Sequence, residues 1–296
     1  VLLHTSPHML IEGLIIASYS ISAEKGFIFI RPSYETLAKI LEREIEIAKD
    51  HGYLGENILG SGFSFEIAVH RSGGRYICGE GTAMQNSLMG KRPNPRQPPP
   101  YPTSQGLWGK PTMLNNVETV VWIPHVLRNG SRWYRELSAT ETGEGTKLYT
   151  VSGPVKNPGC FELPMGTPLR EIIEEHAGGL REGLEFKACI PGGASTRYMT
   201  REHYDLAMDF KTLKDAGHRL GTGAIVVFDH KTCMVAATLN LMEFFVRESC
   251  GWCTPCREGL PYIRNLLWRI ENGDGEPGFV QMLKEMSKYL WNSYCA

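Results

Sequence analysis

The sequence predicts an α/β layer over residues 1–140, a small mixed β module over 141–230 and a helical bundle over 231–296. Three observations carry this order. Helix-spaced and strand-like apolar runs alternate in the first region, a hairpin precedes a helix and further strands in the second, and amphipathic stretches flank a cysteine triplet in the third.

In the first region Ser6-Pro7 makes an N-cap and first-turn pair, and Met9, Leu10, Leu14 and Ala17 follow at helical spacing. GFIFIR (26–31) is a short aromatic and β-branched run bounded by glycine and proline, which suits a strand. Ser33 is placed to cap a second helix whose apolar face carries Leu37, Ile40, Leu41, Ile45 and Ala48. FEIAVH (65–70) and RYIC (75–78) read as further strands, and a helix begins after Gly79 and runs through Met84 and Leu88. GSGF (60–63) leads toward a strand with no obvious helix behind it, so it reads as a turn and not as a phosphate cradle. The proline-rich stretch NPRQPPPYPT (94–103) reads as an extended loop.

In the second region LYTVSGPV is a strand, NPG (157–159) a turn and CFELP the returning strand. Thr167-Pro168 opens a helix, LREIIEEHAGG, closed by Gly178 and Gly179. EFKACI (185–190) and AIVVFD (224–229) are later strands, and this is the order of a β-grasp (ubiquitin-like) module. In the third region Leu239, Met242, Phe245 and Val246 precede the cysteines. Ile263, Leu266, Leu267 and Ile270 follow them, and Val280, Leu283, Met286 and Leu290 make a third amphipathic stretch.

Composition bounds the class. Of 296 residues 42% are hydrophobic and 21% charged, and the formal net charge of -1 gives no basic footprint for nucleic acid. No apolar run reaches the roughly 20 residues of a membrane span, and the N-terminus lacks a secretory pattern. The chain opens on apolar residues without Met, so the expectation is a piece of a longer protein. Four of the eight cysteines, Cys78, Cys160, Cys189 and Cys233, are scattered among apolar or turn residues and read as buried, inert thiols.

The other four carry chemistry. Cys250, Cys253 and Cys256 are spaced two apart, which lets three thiolates reach adjacent corners of a cuboidal iron–sulfur cluster. A fourth ligand must come from elsewhere, and Cys295, 39 positions after Cys256, is the one cysteine downstream. Pro255 stiffens the loop and Gly251 lets its backbone pass close to bound sulfur. Zinc stays open, since soft thiolates suit it too, although its structural sites pair ligands two plus two. Arg257 either pairs with a carboxylate, tunes the site's charge or is simply solvated. The nine histidines show no metal-ligand pairing.

ESCGWCTPCREG (248–259), followed by an amphipathic helix ending near GDGEPG, resembles the cluster-binding segment of the 51-kDa-type, NADH-oxidising flavoprotein subunit of respiratory complex I (NADH-quinone oxidoreductase). GRYICGEGTAMQNSLMGKRPNPRQPPPYP (74–102) and WGKPTMLNNVETV (108–120) resemble that family's flavin-binding segments, and VSGPVKNPGCFELPMGTPLREII resembles its β-grasp, SLBB-type domain. The likeness covers essentially the whole chain. Diaphorase subunits of NAD-linked hydrogenases and formate dehydrogenases share the same segments.

The resemblance implies a Rossmann-like FMN- and NADH-binding α/β domain, a β-grasp domain and a bundle bearing a [4Fe–4S] cluster. It implies hydride transfer from NAD(H) to FMN and single-electron transfer onward toward quinone, with no side chain acting as acid or base. Tyr76, Gly79 and Glu80 match residues lining the flavin and nicotinamide pocket, Asn115 and Asn116 match paired asparagines on the flavin, and Tyr101 matches an aromatic that stacks on the adenine. From the residues alone, Tyr76 reads equally as a core aromatic, Glu80 as a helix N-terminal acid, and Tyr101 as an exposed loop tyrosine. Implied partners are the small [2Fe–2S] subunit and the large multi-cluster subunit, and the implied location is cytoplasmic, or the matrix of an organelle, with membrane attachment through other subunits. Three departures stand out. The family's glycine-rich phosphate loop is expected before Val1, Gly81 stands where a second acid is usual, and KYLWNSYCA is shorter than the usual link to the fourth cysteine. Two other classes stay open: a cluster-bearing electron-transfer piece without hydride chemistry, and a zinc-stabilised scaffold.

Overall fold

The computed structural model describes residues 1–291 and 293–295. In chain order the elements are α1 (Leu2–Thr5), α2 (Pro7–Ser20), β1 (Lys25–Ile30), α3 (Glu35–Asp50), β2 (Glu66–Arg71), α4 (Gly81–Leu88), α5 (Val117–Asn129) and α6 (Ser131–Glu136). They continue with β3 (Thr146–Ser152), β4 (Gly159–Pro164), α7 (Leu169–Glu171), β5 (Phe186–Ile190), β6 (Met199–Thr200), α8 (Phe210–Asp215) and β7 (Ala224–Asp229). Three helices close the chain: α9 (Met234–Glu248), α10 (Thr254–Glu271) and α11 (Phe279–Leu290). The residues divide into two compact units, 1–125 with 238–296, and 126–237.

The first unit holds a βαβ arrangement. β1 and β2 pair in parallel from Lys25↔Glu66 to Ile30↔Arg71, and α3 forms the crossover. Leu10 and Ile11 of α2, Ile28 and Ile30 of β1, and Leu41 and Ile45 of α3 share one core. Gly13 makes the close approach between α2 and α5 possible: a Cβ there would lie 2.2 Å from the Val120 carbonyl oxygen. Arg71, at the end of β2, donates to Glu35 at 2.7 Å and to Glu42 at 2.6 Å, tying the strand to the helix that covers it.

Three sequence expectations change here. Ser33 does not cap α3; it sits inside a 3-10 turn, Pro32–Tyr34, and Tyr34 takes the N-cap position without a side-chain hydrogen bond. RYIC is not a strand. Pulled onto α9 by the contacts described below, Tyr76–Gly79 winds into a 3-10 turn. Pro7 opens α2 as expected, but the Ser6 hydroxyl makes no capping bond.

The second unit is a five-stranded mixed sheet in the order β4-β3-β7-β5-β6. The β3–β4 hairpin is antiparallel from Thr146↔Pro164 to Val151↔Gly159, and β7 joins β3 in parallel. The helix expected after Thr167-Pro168 starts as α7 and loosens into a π-type turn, Ile172–His176, before Gly178 and Gly179 at φ +74° end it. Leu169, Ile172 and Ile173 pack with Tyr149, Met208 and Ile225 in the core, and the Tyr149 hydroxyl donates to the Met208 carbonyl at 2.6 Å.

Burial corrects the reading of the scattered cysteines. Cys78 and Cys189 are buried, and burial pushes the Cys189 thiol up to about 12. Cys160 and Cys233 are exposed. Cys160 lies on the edge strand β4 and Cys233 in the link before α9, where nothing covers the side chain. Among the described residues no helix is long and apolar enough to cross a membrane.

Two outcomes follow. Leu41 is fully buried, so Leu41→Ala should cost about 2–5 kcal/mol in denaturant unfolding, whereas Val280→Ala at an exposed site should stay within about 0.5 kcal/mol. The His218 imidazole is held below its usual range, by burial first and then by His203 and Arg197, with Glu202 opposing. Its Nδ1 is buried without a partner among the described residues. A depressed histidine is neutral in the folded state, so the unfolded chain binds the extra proton. Stability of this unit should therefore be full above about pH 6.5 and fall as pH drops through that value, and His218→Gln should flatten the slope measured by thermal melts between about pH 7 and pH 5.

Candidate functional site

The three clustered cysteines lie where α9 hands over to α10. Gly251 reverses the backbone at φ +65°, Cys253 occupies the N-cap of α10, and Thr254, Pro255 and Cys256 form its first turn. Proline is well placed there, because first-turn N–H groups have no helical partner. The Ser249 hydroxyl accepts from the Gly251 N–H at 3.1 Å and fixes the turn.

Cys295 returns to this loop. α10 and α11 pack side by side, and the Leu290 side chain at the end of α11 reaches to 3.4 Å of where a Cβ on Gly259 would stand. The Ser293 N–H donates to the Leu290 carbonyl at 3.2 Å, and the Ser293 hydroxyl to the Cys295 carbonyl at 3.0 Å. The Cys256 thiol is pushed up to about 11 by burial, then by Cys253, Cys295 and Cys250. Cys295 is likewise raised, by burial first and also by Cys250, Cys253 and Glu80, against a hydrogen bond from Ser293. The four thiols thus sense one another as a group, and each is half-buried.

This donor set fits a polynuclear centre. Four soft sulfur donors are gathered in one half-buried place, yet among the described residues no three His, Cys, Asp or Glu side chains close on a point as a single bound ion requires. A thiol whose proton is held this firmly gives it up when metal charge compensates the thiolate. Arg257 folds back over the loop: it pairs with Glu258 at 3.0 Å and points one guanidinium nitrogen at the Gly251 and Trp252 carbonyls at 3.5 and 3.4 Å.

Segment 75–92 clamps the same loop. The Tyr76 N–H donates to Glu248 Oε2 at 2.9 Å, and its ring stands edge-on to Phe244 at 5.1 Å. Arg75 donates to the Arg247 carbonyl at 2.5 Å and lies 3.7 Å from the Glu248 carboxylate. Arg92 donates to the Cys250 carbonyl at 2.9 Å. Glu80 is the N-cap of α4: its carboxylate accepts from the Ala83 N–H at 2.7 Å and the Thr82 hydroxyl at 2.6 Å. A Cβ on Gly79 would meet nothing within 4 Å, so open space lies against the backbone there.

Asn115 and Asn116 are exposed at the start of α5, where the Asn116 carbonyl accepts from the Thr119 and Val120 N–H groups. They reach α4 through Leu114, whose Cδ2 lies 3.0 Å from where a Cβ on Gly81 would stand. Tyr101 is 62% exposed, and the next residue, Pro102, accepts from the Thr112 N–H at 2.9 Å. The structure therefore brings Tyr76, Gly79 and Glu80 to the cysteine loop, links Asn115 and Asn116 to α4, and leaves Tyr101 on a loop tied to residue 112. Near α4, Gln85 Nε2, Asn94 Oδ1 and Arg96 Nε are buried without hydrogen-bond partners among the described residues. Unmet polar atoms of this kind mark a place where a bound polar group supplies the missing partners.

Comparison with known proteins gives the same picture from another side. Residues 1–125 match the Nuo51 FMN-binding domain, residues 148–196 the SLBB domain, and residues 236–296 the NADH-ubiquinone oxidoreductase-F iron–sulfur binding region. The whole chain aligns at 50% identity with the NADH-quinone oxidoreductase F subunit of Escherichia coli, covering 66% of that protein. It aligns at 47% identity with an NADH-quinone oxidoreductase F subunit of Rhizobium meliloti, covering 70%. The chain belongs to the NADH-quinone oxidoreductase F-subunit family. It spans slightly less than two thirds of the length of the Escherichia coli and Salmonella typhimurium relatives. Among solved structures, an NAD+-reducing [NiFe]-hydrogenase chain in the H2-reduced state superposes with a TM-score of 0.86 at 32% identity, over all of this chain and 49% of that one.

Within this family member, sequence reasoning overlooked Arg75, Arg92 and Glu248, which hold the cysteine loop. Glu248 carried a signal, since it stands two residues before Cys250. The arginines lie 172 and 158 positions from the carbonyls they grip, with no local pattern. Glu80 offers a direct check on its two readings. Glu80→Ala should cost about 1 kcal/mol in unfolding through loss of the cap, while Glu80→Ser should restore most of that stability. Only a direct nucleotide contact would leave NADH affinity impaired in the serine variant, measured by titration on the full-length protein.

Proposed function

We propose that this chain forms most of an NADH-oxidising FMN/[4Fe–4S] subunit of an NADH-quinone oxidoreductase. The observation that carries this reading is the return of Cys295 to Cys250, Cys253 and Cys256, which supplies the fourth thiolate of a cluster. Tyr76, Gly79, Glu80, Asn115 and Asn116 line the flavin in this reading, and Tyr101 stacks on the adenine of NAD(H). Bound FMN supplies the exchange between two-electron hydride chemistry and one-electron transfer. The chain's own residues bind and orient: Tyr76 and Arg75 fix the nucleotide side against α9, and the α10–α11 pair holds the thiols in place. No side chain serves as acid or base.

Function divides over residues 1–140 for FMN and NADH in a Rossmann-like layer, 141–230 for a β-grasp domain, and 231–296 for the cluster-bearing bundle. The hairpin, helix and mixed sheet of residues 146–229 support the β-grasp assignment. As a member of its family, the protein works beside other subunits of its complex. We infer the small [2Fe–2S] and the large multi-cluster subunits as its neighbours, in the peripheral arm on the cytoplasmic or matrix side. A diaphorase role beside a hydrogenase is the second reading, favoured by the 0.86 TM-score, but the higher identities lie with NADH-quinone oxidoreductases.

Anaerobic purification of the full-length protein tests the centre. About four irons and four sulfides per chain are expected, with Cys295→Ser losing or altering the cluster's EPR signal. Stoichiometric zinc without iron would overturn the proposal.

A further inference from the structure

We infer that Arg92 is a positioning residue that raises the reduction potential of the cluster bound by the cysteine loop. The inference rests on the four-cysteine reading above and adds a role for a residue outside the ligand set.

Three arginines touch the loop. Arg257 donates toward the Gly251 and Trp252 carbonyls but is neutralised by Glu258 at 3.0 Å. Arg75 holds the Arg247 carbonyl but stands 3.7 Å from the Glu248 carboxylate. Arg92 donates through Nη2 to the carbonyl of Cys250 itself, at 2.9 Å, and has no carboxylate partner among the described residues. Its charge is therefore the uncompensated one, and it is applied to the peptide of a ligating cysteine from a segment 158 residues earlier.

Two effects act in the same direction. A one-electron reduction adds one negative charge at the thiolates, and a fixed guanidinium nearby lowers the free energy of that state. The Cys250 carbonyl oxygen turns the negative end of a dipole toward its surroundings, and a charge-assisted hydrogen bond from Arg92 offsets that end. Cluster potentials respond to net charge, hydrogen bonding and exposure around the sulfurs, and partners behind the ligands tune a metal as well as orient it. Because Arg92 follows α4, which Glu80 caps, the same contact also fixes the cysteine loop against the nucleotide side.

The test uses the full-length protein in its assembled complex and reads the cluster's midpoint potential by EPR-monitored redox titration. Arg92→Gln keeps a donor but removes the charge, and a several-fold weakening of the one-electron reduction equilibrium is expected, read as a lower midpoint. Arg92→Lys keeps the charge and should stay close to wild type. Arg75→Gln loosens the loop without changing its net uncompensated charge and should leave the midpoint in place. An unmoved midpoint in Arg92→Gln at full iron content, or an equal fall in Arg75→Gln, would overturn the role. If Arg92→Gln loses its iron, Arg92→Lys decides: a wild-type midpoint supports the charge effect and a drop overturns it. Iron and sulfide analysis of the wild-type preparation checks the cluster reading by itself. No iron there removes that reading and the inference with it, while full iron with an unmoved potential removes the role of Arg92 alone.

Discussion

The site depends on one reversal of the chain, between α10 and α11. From Cys256 to Glu271 the helix carries the backbone about 22 Å away from the motif, at 1.5 Å per residue. α11 brings it back by about 18 Å, and the residues after Leu290 close the remaining gap. The turn between the helices is held by Arg269, which pairs with Glu276 at 2.5 Å and lies 4.6 Å over the Phe279 ring, and Gly273 and Gly278 take the positive φ angles the turn needs. Without this return, three thiols at a helix N-terminus would lack their fourth.

Gathering the thiols works against each one's ionisation. Burial and mutual repulsion raise Cys256 and Cys295, so the metal-free site keeps its protons and stays neutral. Metal charge reverses that balance, which couples cluster insertion to proton release and to the order of the bundle. The loop is also gripped from outside by Tyr76, Arg75 and Arg92, so the segment that resembles the flavin pocket and the segment that holds sulfur form one mechanical piece.

Much of this was legible in the sequence because local chemistry announced it. β1, β2, the β3–β4 hairpin and α10 follow directly from apolar period and turn residues, and the cysteine spacing named its own purpose. RYIC failed as a strand because its fate was decided by partners 172 residues away, Arg247 and Glu248. Ser33 failed as a cap because Pro32 began a 3-10 turn one residue too early. Cys160 alternates outward on an edge strand, a fact of sheet order that no single strand reveals. Of the site, the ligands were readable and the arginine clamp was not, since a guanidinium reaching a carbonyl leaves no pattern between neighbours in sequence.

Gly81 has a consequence beyond its departure from the usual pair of acids. The absence of a side chain there lets Leu114, a methyl-ended residue, settle over the first turn of α4 and carry Asn115 and Asn116 with it. Positions 81 and 114 therefore form an exchange pair. Grafting a carboxylate at 81 into this chain would confront hydrocarbon before it reached any nucleotide, and only a smaller partner at 114 would make room for it. A designer restoring the second acid must change both residues together.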